Sequence, residues 1–405
     1  MLDLTEAVIA LSDALDLVGV NDVRHGKRVA YMAEQLGRQM ELPQTDQDDL
    51  FLAALLHDCG VSSSRAHTEL TRVLDWEGDG HCQDGFALLR DFPPFLRIAD
   101  IVRRHHLPWS DPLRASLAPD VALLANAVYL ADRVDVLAKK VGHDDILLSR
   151  GAIHASIRER RGTQFAPPLV EAFLEVSDTE AFWLTLEAHH LDRWLAEASR
   201  VARPRPVEPE WLKGLAMVFA RIVDAKSPFT AQHSLGVARL ARHLGEMTGF
   251  DAETLDQLEI AGLLHDLGKL RVPDEILEKP APLTDAEFAW IARHTFETYQ
   301  ILRRVAPFEK IAAWAGAHHE TPSGEGYPFR VSGLDLTLPA RIVAVADVFQ
   351  ALAQERPYRR ALVPAEIGKV LLEMAASKRL DRDLVDLVSG QLDDIWKVAV
   401  GAKAA

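Results

Sequence analysis

Cysteine is scarce in this chain, with only Cys59 and Cys82 among 405 residues. Two thiols cannot build the disulfide framework on which small secreted proteins rely. No apolar run reaches the ~18 residues that a membrane span requires. The first six residues also lack the basic start of a secretory signal. We therefore expect a cytoplasmic protein without a membrane partner. Its cysteines are either small buried residues or part of a redox-sensing or metal-sensing site.

Positive charge is in deficit as well. Lysine and arginine total 45 against 60 aspartates and glutamates, which gives a formal net charge of −15. This balance excludes a general basic surface for a nucleic acid polymer. An anionic small molecule could still bind, provided that metal ions and basic side chains cluster locally.

Long stretches with the period of a β-strand are also missing. Apolar residues instead recur at helical spacing over residues 29–36 and 237–244, and over the two segments 50–56 and 258–264. Thr284 and Glu287 form a capping box that starts a further helix. The pattern predicts an all-α fold of two stacked helical domains.

The domain boundary is expected where proline interrupts the helical pattern. Pro204, Pro206 and Pro209 lie within six residues and cannot continue a helix. We predict a first domain over residues 1–200, a proline-rich linker over 201–210 and a second domain over 211–405.

Two sets of histidines and aspartates occur in the same order in the two halves. The first set comprises His25, His57, Asp58, His81, His105, His106 and Asp132; the second comprises His233, His265, Asp266, His294, His318, His319 and Asp347. The offset is 208 residues at the first histidine (233 − 25), 213 at the third (294 − 81) and 215 at the last aspartate (347 − 132). An offset that grows only by small insertions indicates an internal duplication.

The second set has the chemistry of a metal centre. Adjacent His265 and Asp266 offer a nitrogen ligand and a carboxylate able to bridge two ions. Two close metals can activate water and neutralise a phosphodiester in line with it. Lys269 lies four residues after His265, so we expect both to share one face of a helix, from which the amine could reach a phosphate held by the metals.

These residues resemble a known family. The stretch His265-Asp266-Leu267-Gly268-Lys269 is similar to the signature of the HD phosphohydrolase superfamily. His318-His319-Glu320, followed by Gly326-Tyr327-Pro328, resembles the further signature of its HD-GYP subgroup. The resemblance extends over about residues 210 to 395.

The resemblance implies a metal-dependent phosphodiesterase that hydrolyses cyclic di-GMP to linear pGpG and then GMP. One metal would be held by His233, His265, Asp266 and Asp347, and the other by Asp266, His294, His318 and His319. Iron or manganese is the expected metal, and a bridging hydroxide would attack phosphorus. Asp266 and Lys269 are the expected catalytic residues; the residues expected to bind substrate are Lys269, Tyr327, Arg356 and Arg359.

Several positions depart from the family pattern. Phe229 stands where some members have a glutamate ligand for a third metal, so we predict two metals. The loop after His319 reads Glu320-Thr321-Pro322-Ser323, and Gln354-Glu355 precede Arg356, both unlike the usual residues. These changes leave 3′,3′-cyclic GMP-AMP open as the substrate.

The first half keeps every ligand position but loses the rest. Val61 stands in place of Lys269 and Val141 in place of Arg356, and no Gly-Tyr-Pro follows His105-His106. This half resembles a generic HD domain with a second candidate metal site. Three alternatives stay open: hydrolysis of another phosphate ester, binding of metal or nucleotide as a regulatory module, or a packing role for relic histidines.

Two other functions compete for the whole chain. One is a cyclic-dinucleotide receptor that signals through protein partners, as a homodimer or otherwise, without turnover. The other is a general HD phosphohydrolase acting on nucleotides, against which the Gly326-Tyr327-Pro328 loop argues.

Overall fold

The structure is a computed structural model of the chain, and it describes residues 2–16, 24–61, 80–141, 146–201, 205–226, 233–355 and 359–401. It divides into two compact units, Asp3–Pro206 and Val207–Ala405, the second of which also takes in the first two residues. We call them the N-terminal and C-terminal units. Strands among the described residues are confined to the two-residue β1 (Leu2–Asp3) and β2 (Pro206–Val207), which pair with each other.

Helices make up the N-terminal unit. They are α1 (Leu4–Leu15), α2 (His25–Gln39), α3 (Gln44–Leu56), α4 (Gly80–Leu89), α5 (Leu96–Arg104), α6 (Pro119–Val141), α7 (Ile146–Glu159), α8 (Pro167–Val176), α9 (Glu180–Leu184) and α10 (Ala188–Val201). Short 3-10 turns occupy Pro93–Phe95 and Pro112–Ser116. The core is aromatic-rich, with Phe92, Phe95, Phe165 and Trp183 fully buried.

The C-terminal unit repeats the pattern. Its helices are α11 (Leu212–Asp224), α12 (His233–Met247), α13 (Ala252–Leu264), α14 (Asp274–Leu277), α15 (Asp285–Leu302), α16 (Glu309–Gly316), α17 (Leu338–Ala353), α18 (Pro364–Ala376), α19 (Arg382–Ser389) and α20 (Leu392–Val400). Further 3-10 turns occupy Pro209–Trp211, Leu267–Arg271, Ala306–Phe308 and Gly333–Asp335. The predicted all-α fold is confirmed. No helix among the described residues is long and apolar enough to cross a membrane.

Capping residues determine where the two central helices of the C-terminal unit begin. The Thr284 hydroxyl accepts from the Glu287 backbone N–H, and the Glu287 carboxylate accepts from the Thr284 N–H, which is the predicted capping box. The Asp251 carboxylate caps α13 by accepting from the Thr254 N–H at 2.9 Å.

The helices that carry the first two histidines approach closely because glycine lies between them. A Cβ on Gly262 of α13 would lie 2.7 Å from the Ala238 Cα of α12. A Cβ on Gly236 of α12 would meet the Gln350 side chain of α17. A larger residue at position 262 would push α12 and α13, and the histidines they carry, apart, whereas at position 236 the flexible Gln350 side chain would have to move.

A second glycine contact is duplicated in the two units. A Cβ on Gly268 would lie 2.1 Å from the His294 carbonyl oxygen, and a Cβ on Gly60 would lie 2.1 Å from the His81 carbonyl oxygen. Gly268 and Gly60 each follow their His-Asp pair by the same spacing. The turn after each pair is therefore pressed against the helix that carries the third histidine.

One prediction about this turn is wrong. His265 and Lys269 do not share the face of a continuous helix, because α13 ends at Leu264 and Leu267–Arg271 is a 3-10 turn. Glycine fits at position 268 of this turn, where a Cβ would lie 2.1 Å from the His294 carbonyl oxygen.

Candidate metal centres

The C-terminal unit gathers its whole ligand set in one buried cluster. His233 begins α12, His265 and Asp266 follow α13, and His294 lies in α15. His318 and His319 follow α16, and Asp347 lies in α17. Five helices thus contribute to one site, which explains why its ligands are spread over more than 100 residues of sequence.

One side of the cluster joins two imidazoles to two carboxylates. His233 Nε2 lies 3.1 Å from Asp347 Oδ1 and 3.9 Å from Asp266 Oδ2. His265 Nε2 lies 3.2 Å from Asp266 Oδ2 and 3.7 Å from Asp347 Oδ1. Four potential ligand atoms therefore surround a single point.

The other side is built from the remaining histidines. His294 Nε2 lies 3.2 Å from His318 Nε2, and these atoms lie 3.6 and 3.8 Å from Asp266 Oδ1. The His319 ring centroid lies 4.2 Å from that of His318 and 5.2 Å from that of His294. Asp266 thus presents Oδ2 to one group of imidazoles and Oδ1 to the other, which is the geometry of a bridging carboxylate.

Backbone carbonyls orient three of the imidazoles. The Nδ1–H groups of His265, His294 and His318 donate to the carbonyl oxygens of Gly262, Ile291 and Ala315, each three residues earlier. This hydrogen bond fixes the tautomer and turns each Nε2 lone pair into the cluster.

Burial and charge set the protonation of the cluster. Burial lowers the pKa of His294 to about 3 and lowers that of His318 well below its usual value. Burial alone would raise the pKa of Asp266, but the charges of His265 and Lys269 hold it well below its usual value. His294 and His318 thus already have the neutral form that binds metal, whereas Asp266 and Asp347 raise the pKa of His265 to about 10 against the effect of burial, so a metal there would displace its proton.

The N-terminal unit gathers its own set around Asp58. Asp58 Oδ2 lies 3.6 Å from His25 Nε2 and 3.5 Å from His57 Nε2, while Asp58 Oδ1 lies 3.7 Å from His81 Nε2 and 3.9 Å from His105 Nε2. Asp132 Oδ1 lies 3.4 Å from His25 Nε2, and Asp132 Oδ2 lies 3.9 Å from His106 Nε2. The two units share one ligand geometry.

Around this shared geometry the N-terminal unit has its own charged groups. The His25 Nδ1–H donates to the Asp135 carboxylate at 2.7 Å, and Arg28 pairs with the same carboxylate at 2.5 and 3.0 Å. Arg28 and Asp135 stand at the positions of Gly236 and Gln350 in the C-terminal unit. The close glycine–glutamine contact of one unit is therefore a buried ion pair in the other.

Comparison with known proteins identifies both units. Residues 23–137 and residues 217–384 each match an HD domain family. A 3′3′-cGAMP-specific phosphodiesterase 1 of Vibrio cholerae is 34% identical over 98% of this chain and 94% of its own length. The chain belongs to the HD-type cyclic-dinucleotide phosphodiesterases.

Two further phosphodiesterases match this chain over nearly its whole length. The 3′3′-cGAMP-specific phosphodiesterase 3 of Vibrio cholerae is 29% identical over 91% of this chain and 90% of its own length. A crystal structure of a cyclic GMP-AMP-specific phosphodiesterase from the same organism covers 99% of this chain and 98% of that chain, with a TM-score of 0.64 and 25% identity. The predicted tandem HD architecture is confirmed.

Buried polar atoms of the C-terminal cluster fit a metal. Among the described residues, His265 Nε2 and Asp266 Oδ1 are buried without a hydrogen-bond partner. A buried polar atom without a partner is costly. Both atoms point into the ligand cluster, where a cation would satisfy them.

The predicted catalytic amine contacts the bridging carboxylate. Lys269 Nζ lies 2.5 Å from Asp266 Oδ2. It therefore places a positive charge beside the bridging carboxylate. Lys269 lies in the 3-10 turn and not on the face of a helix.

The predicted substrate-binding residues have different environments. The Tyr327 ring packs 5.0 Å from that of His319 and 5.8 Å from that of Phe288, and burial raises the pKa of its phenol. The Arg359 guanidinium donates to the Ala351 and Leu352 carbonyl oxygens at the end of α17. Arg356 and the Phe229 position lie outside the described residues.

Two residues that hold the proposed ligands in place, Gln354 and Thr298, were not predicted from the sequence. Gln354 Oε1 accepts from the His233 Nδ1–H at 3.2 Å. The Thr298 hydroxyl donates to the His265 carbonyl at 3.1 Å and accepts from the Gly268 N–H at 2.9 Å. Gln354 was noted only as a departure from the family pattern, and nothing in the sequence around Thr298 marks it.

Glu320 is a further supporting residue. It is 2% exposed, and its Oε1 accepts from the backbone N–H groups of Phe329 and Arg330 at 2.6 and 3.0 Å. This carboxylate ties the Gly-Tyr-Pro loop to the end of the His-His segment. Its place directly after His319 is the signal that could have identified it.

Proposed function

We propose that the C-terminal unit hydrolyses 3′,3′-cyclic GMP-AMP in preference to cyclic di-GMP. The extent of the similarity carries this proposal. Three relatives named as specific for 3′3′-cGAMP match 98%, 91% and 46% of the chain, whereas cyclic di-GMP phosphodiesterases of Pseudomonas aeruginosa and Xanthomonas campestris match 36% and 35%. Cyclic di-GMP was the main expectation from sequence, and the comparisons favour the alternative.

The metal ligands are proposed as two overlapping sets. His233, His265, Asp266 and Asp347 would hold one cation, and Asp266, His294, His318 and His319 the other. Two divalent cations, with iron or manganese as the proposed identity, would supply the charge that activates water and neutralises the phosphodiester. The Nδ1–H bonds of His265, His294 and His318 support this assignment because they turn these three Nε2 atoms into the cluster.

The remaining residues would bind and orient the dinucleotide. Lys269 brings a cation beside Asp266, where it can steady a non-bridging phosphate oxygen. Tyr327 keeps a neutral phenol next to His319 and can donate a hydrogen bond to substrate. The Glu320 anchor of the Gly326-Tyr327-Pro328 loop supports placing the chain in the HD-GYP subgroup. Arg356 and Arg359 remain proposed substrate contacts.

Competition kinetics test the substrate proposal. Protein purified without oxygen and assayed for metal content is given 3′,3′-cyclic GMP-AMP and cyclic di-GMP separately and mixed. We expect a linear dinucleotide from both and a kcat/KM at least tenfold higher for cyclic GMP-AMP. An equal or higher kcat/KM for cyclic di-GMP would show the substrate assignment to be wrong. Tight binding of either without turnover by metal-loaded protein would favour the receptor alternative.

The N-terminal unit is proposed to bind metal and to regulate, without turnover. All seven ligand positions converge on Asp58 and Asp132. The cation that Lys269 supplies in the other unit is missing, since Val61 takes its place. Arg133 pairs with Asp132 at 2.6 Å, and Arg28 and Lys139 pair with Asp135, so each of these basic side chains has a carboxylate partner within the unit.

A further inference from the structure

Three histidines and a cysteine of the N-terminal unit converge where the C-terminal unit has three histidines, and each group lies beside its aspartate, Asp58 or Asp266. Each of His81, Cys82, His105 and His106 provides one potential ligand atom, and these atoms all lie within 4.8 Å of one another. His105 is fully buried and Cys82 is 1% exposed. We propose that this quartet is a tetrahedral zinc site closed by the Cys82 thiolate. The proposal builds on metal binding by the N-terminal unit and is independent of the substrate of the other unit.

The interatomic distances match a tetrahedron around zinc. With Zn–N near 2.05 Å and Zn–S near 2.3 Å, two nitrogen ligands lie about 3.3 Å apart, and a nitrogen and a sulfur ligand lie about 3.6 Å apart. His81 Nε2 lies 3.3 Å from His105 Nε2, and Cys82 Sγ lies 3.6 Å from His81 Nε2. Both separations agree with ligands around one ion.

The His105 imidazole is already oriented for this role. Its Nδ1–H donates to the Val102 carbonyl oxygen at 2.6 Å, so the Nε2 lone pair faces His81 and Cys82. With the His105 Nε2 as a lone pair, the His81 Nε2 at 3.3 Å either donates a hydrogen bond to it or, as a second lone pair, shares a cation with it. A shared cation satisfies both lone pairs.

The equivalent position in the C-terminal unit has no thiol. The 213-residue offset places Thr295 at the position of Cys82. The Thr295 hydroxyl donates to the Ala292 carbonyl oxygen at 3.2 Å, within its own helix. The ligands there are three imidazoles and the Asp266 carboxylate, which suit harder metals. The two units thus differ in donor chemistry at the same point of the fold.

A thiolate ligand has two consequences. Soft sulfur ligands favour zinc over manganese or iron(II) bound through nitrogen and oxygen. Four protein ligands also fill a tetrahedral zinc, whereas catalytic zinc keeps a position open for water or substrate. Binding would release the thiol proton to solvent and leave a closed ion. The N-terminal centre would then stabilise its unit and would not turn over substrate.

Cobalt(II) substitution in the full chain tests the site directly. Cys59 and Cys82 are the only thiols of the sequence, so a thiolate-to-cobalt charge-transfer absorption can report only on the N-terminal unit. We expect this absorption in the wild-type chain and in Cys59→Ser. It should be lost in Cys82→Ser and in Cys82→Thr, the second of which introduces the residue found at the equivalent position 295. Circular dichroism checks that each variant is folded.

Three results would overturn the proposal. The first is cobalt bound by the wild-type chain without charge-transfer absorption, and the second is absorption that survives in Cys82→Ser. If Cys82→Ser does not fold, X-ray absorption of the zinc-loaded wild-type chain replaces this variant. The third contradicting result is then a spectrum that shows no sulfur ligand around zinc. Turnover of cyclic dinucleotides is measured separately, so failure of the proposed function leaves these readouts unaffected.

Discussion

At the scale of single residues, Asp266 and Lys269 distinguish the unit proposed to turn over substrate. The two carboxylate oxygens of Asp266 face two different groups of imidazoles. The Lys269 ammonium lies 2.5 Å from one of these oxygens, Oδ2. The N-terminal unit keeps the aspartate, Asp58, but has Val61 in place of the lysine. The ligands were predictable from the duplicated spacing, whereas Gln354, Thr298 and Asp135 were not, because each meets its partner only after about 30 to 120 residues of chain have folded back.

The amine of Lys269 should matter for rate more than for metal content. Lys269→Ala removes the charge beside Asp266 but none of the proposed ligands, so kcat should fall by about 10²- to 10³-fold. Elemental analysis should find nearly unchanged metal. Lys279→Ala, which breaks only the partly exposed pair with Glu287, is the matched control. Loss of metal together with rate would assign Lys269 to the structure of the centre.

Asp224 should give the C-terminal unit a measurable pH dependence. Burial raises the pKa of Asp224 to about 7 from an ordinary 3.8, and Ser234 donates to it at 2.8 Å. A raised pKa means that the folded state holds the proton more tightly, so its contribution is complete below pH 3.8 and is lost as pH rises through 7. From pH 5 to 7 the free energy of unfolding should fall for the wild type relative to Asp224→Asn, by at most about 1.4 kcal/mol per pH unit.

Urea unfolding at several pH values, with chelator present throughout, checks this difference. Asp224→Asn keeps a polar partner for Ser234 but cannot titrate, so any pH dependence common to both proteins belongs to other groups. Parallel curves for the two proteins between pH 5 and 8 would show that Asp224 is ionised in the folded state at all of these values.

At the scale of elements, close helix contacts decide where the ligands meet. Gly262 and Gly236 let α12 approach α13 and α17, and Gly268 presses the turn after Asp266 against α15. The helices and the Thr284 capping box follow from local sequence. The 3-10 turn at Leu267–Arg271 does not, and its close contact with His294 lies outside any local window of sequence.

Alanine at Gly268 should damage both packing and metal binding. Its Cβ would lie 2.1 Å from the His294 carbonyl oxygen, so α15 or the turn must shift, at a cost of about 1–3 kcal/mol. Gly60→Ala should do the same in the N-terminal unit. Gly151→Ala is the control. Gly151 lies within a helix, and a Cβ there would have no neighbouring atom within 4 Å.

Thermal unfolding with elemental analysis separates these three variants. Gly268→Ala and Gly60→Ala should each unfold at a lower temperature and carry less metal, and Gly151→Ala should match or exceed the wild type. Unchanged stability and metal content in both of the first two would show that the glycine contacts do not position the third histidine.

At the scale of the whole molecule, one duplicated fold holds two centres of different character. The sequence alone was sufficient for the all-α tandem HD architecture and for the residues that gather in the two buried clusters, because these histidines and aspartates repeat in order along the chain. It was not sufficient for substrate preference, since both cyclic dinucleotides present a similar phosphodiester to the same ligands and differ in a base. The metal identity, the domain boundaries and the residue roles remain predictions.

The duplication allows the most direct test of the account, with one equivalent substitution in each unit. Turnover of 3′,3′-cyclic GMP-AMP is measured for Asp266→Asn and Asp58→Asn in the full chain, with metal content determined on the same samples. We predict that Asp266→Asn loses turnover and that Asp58→Asn still releases linear dinucleotide while carrying less metal. Turnover that survives in Asp266→Asn but disappears in Asp58→Asn would place the reaction in the N-terminal unit and contradict the account.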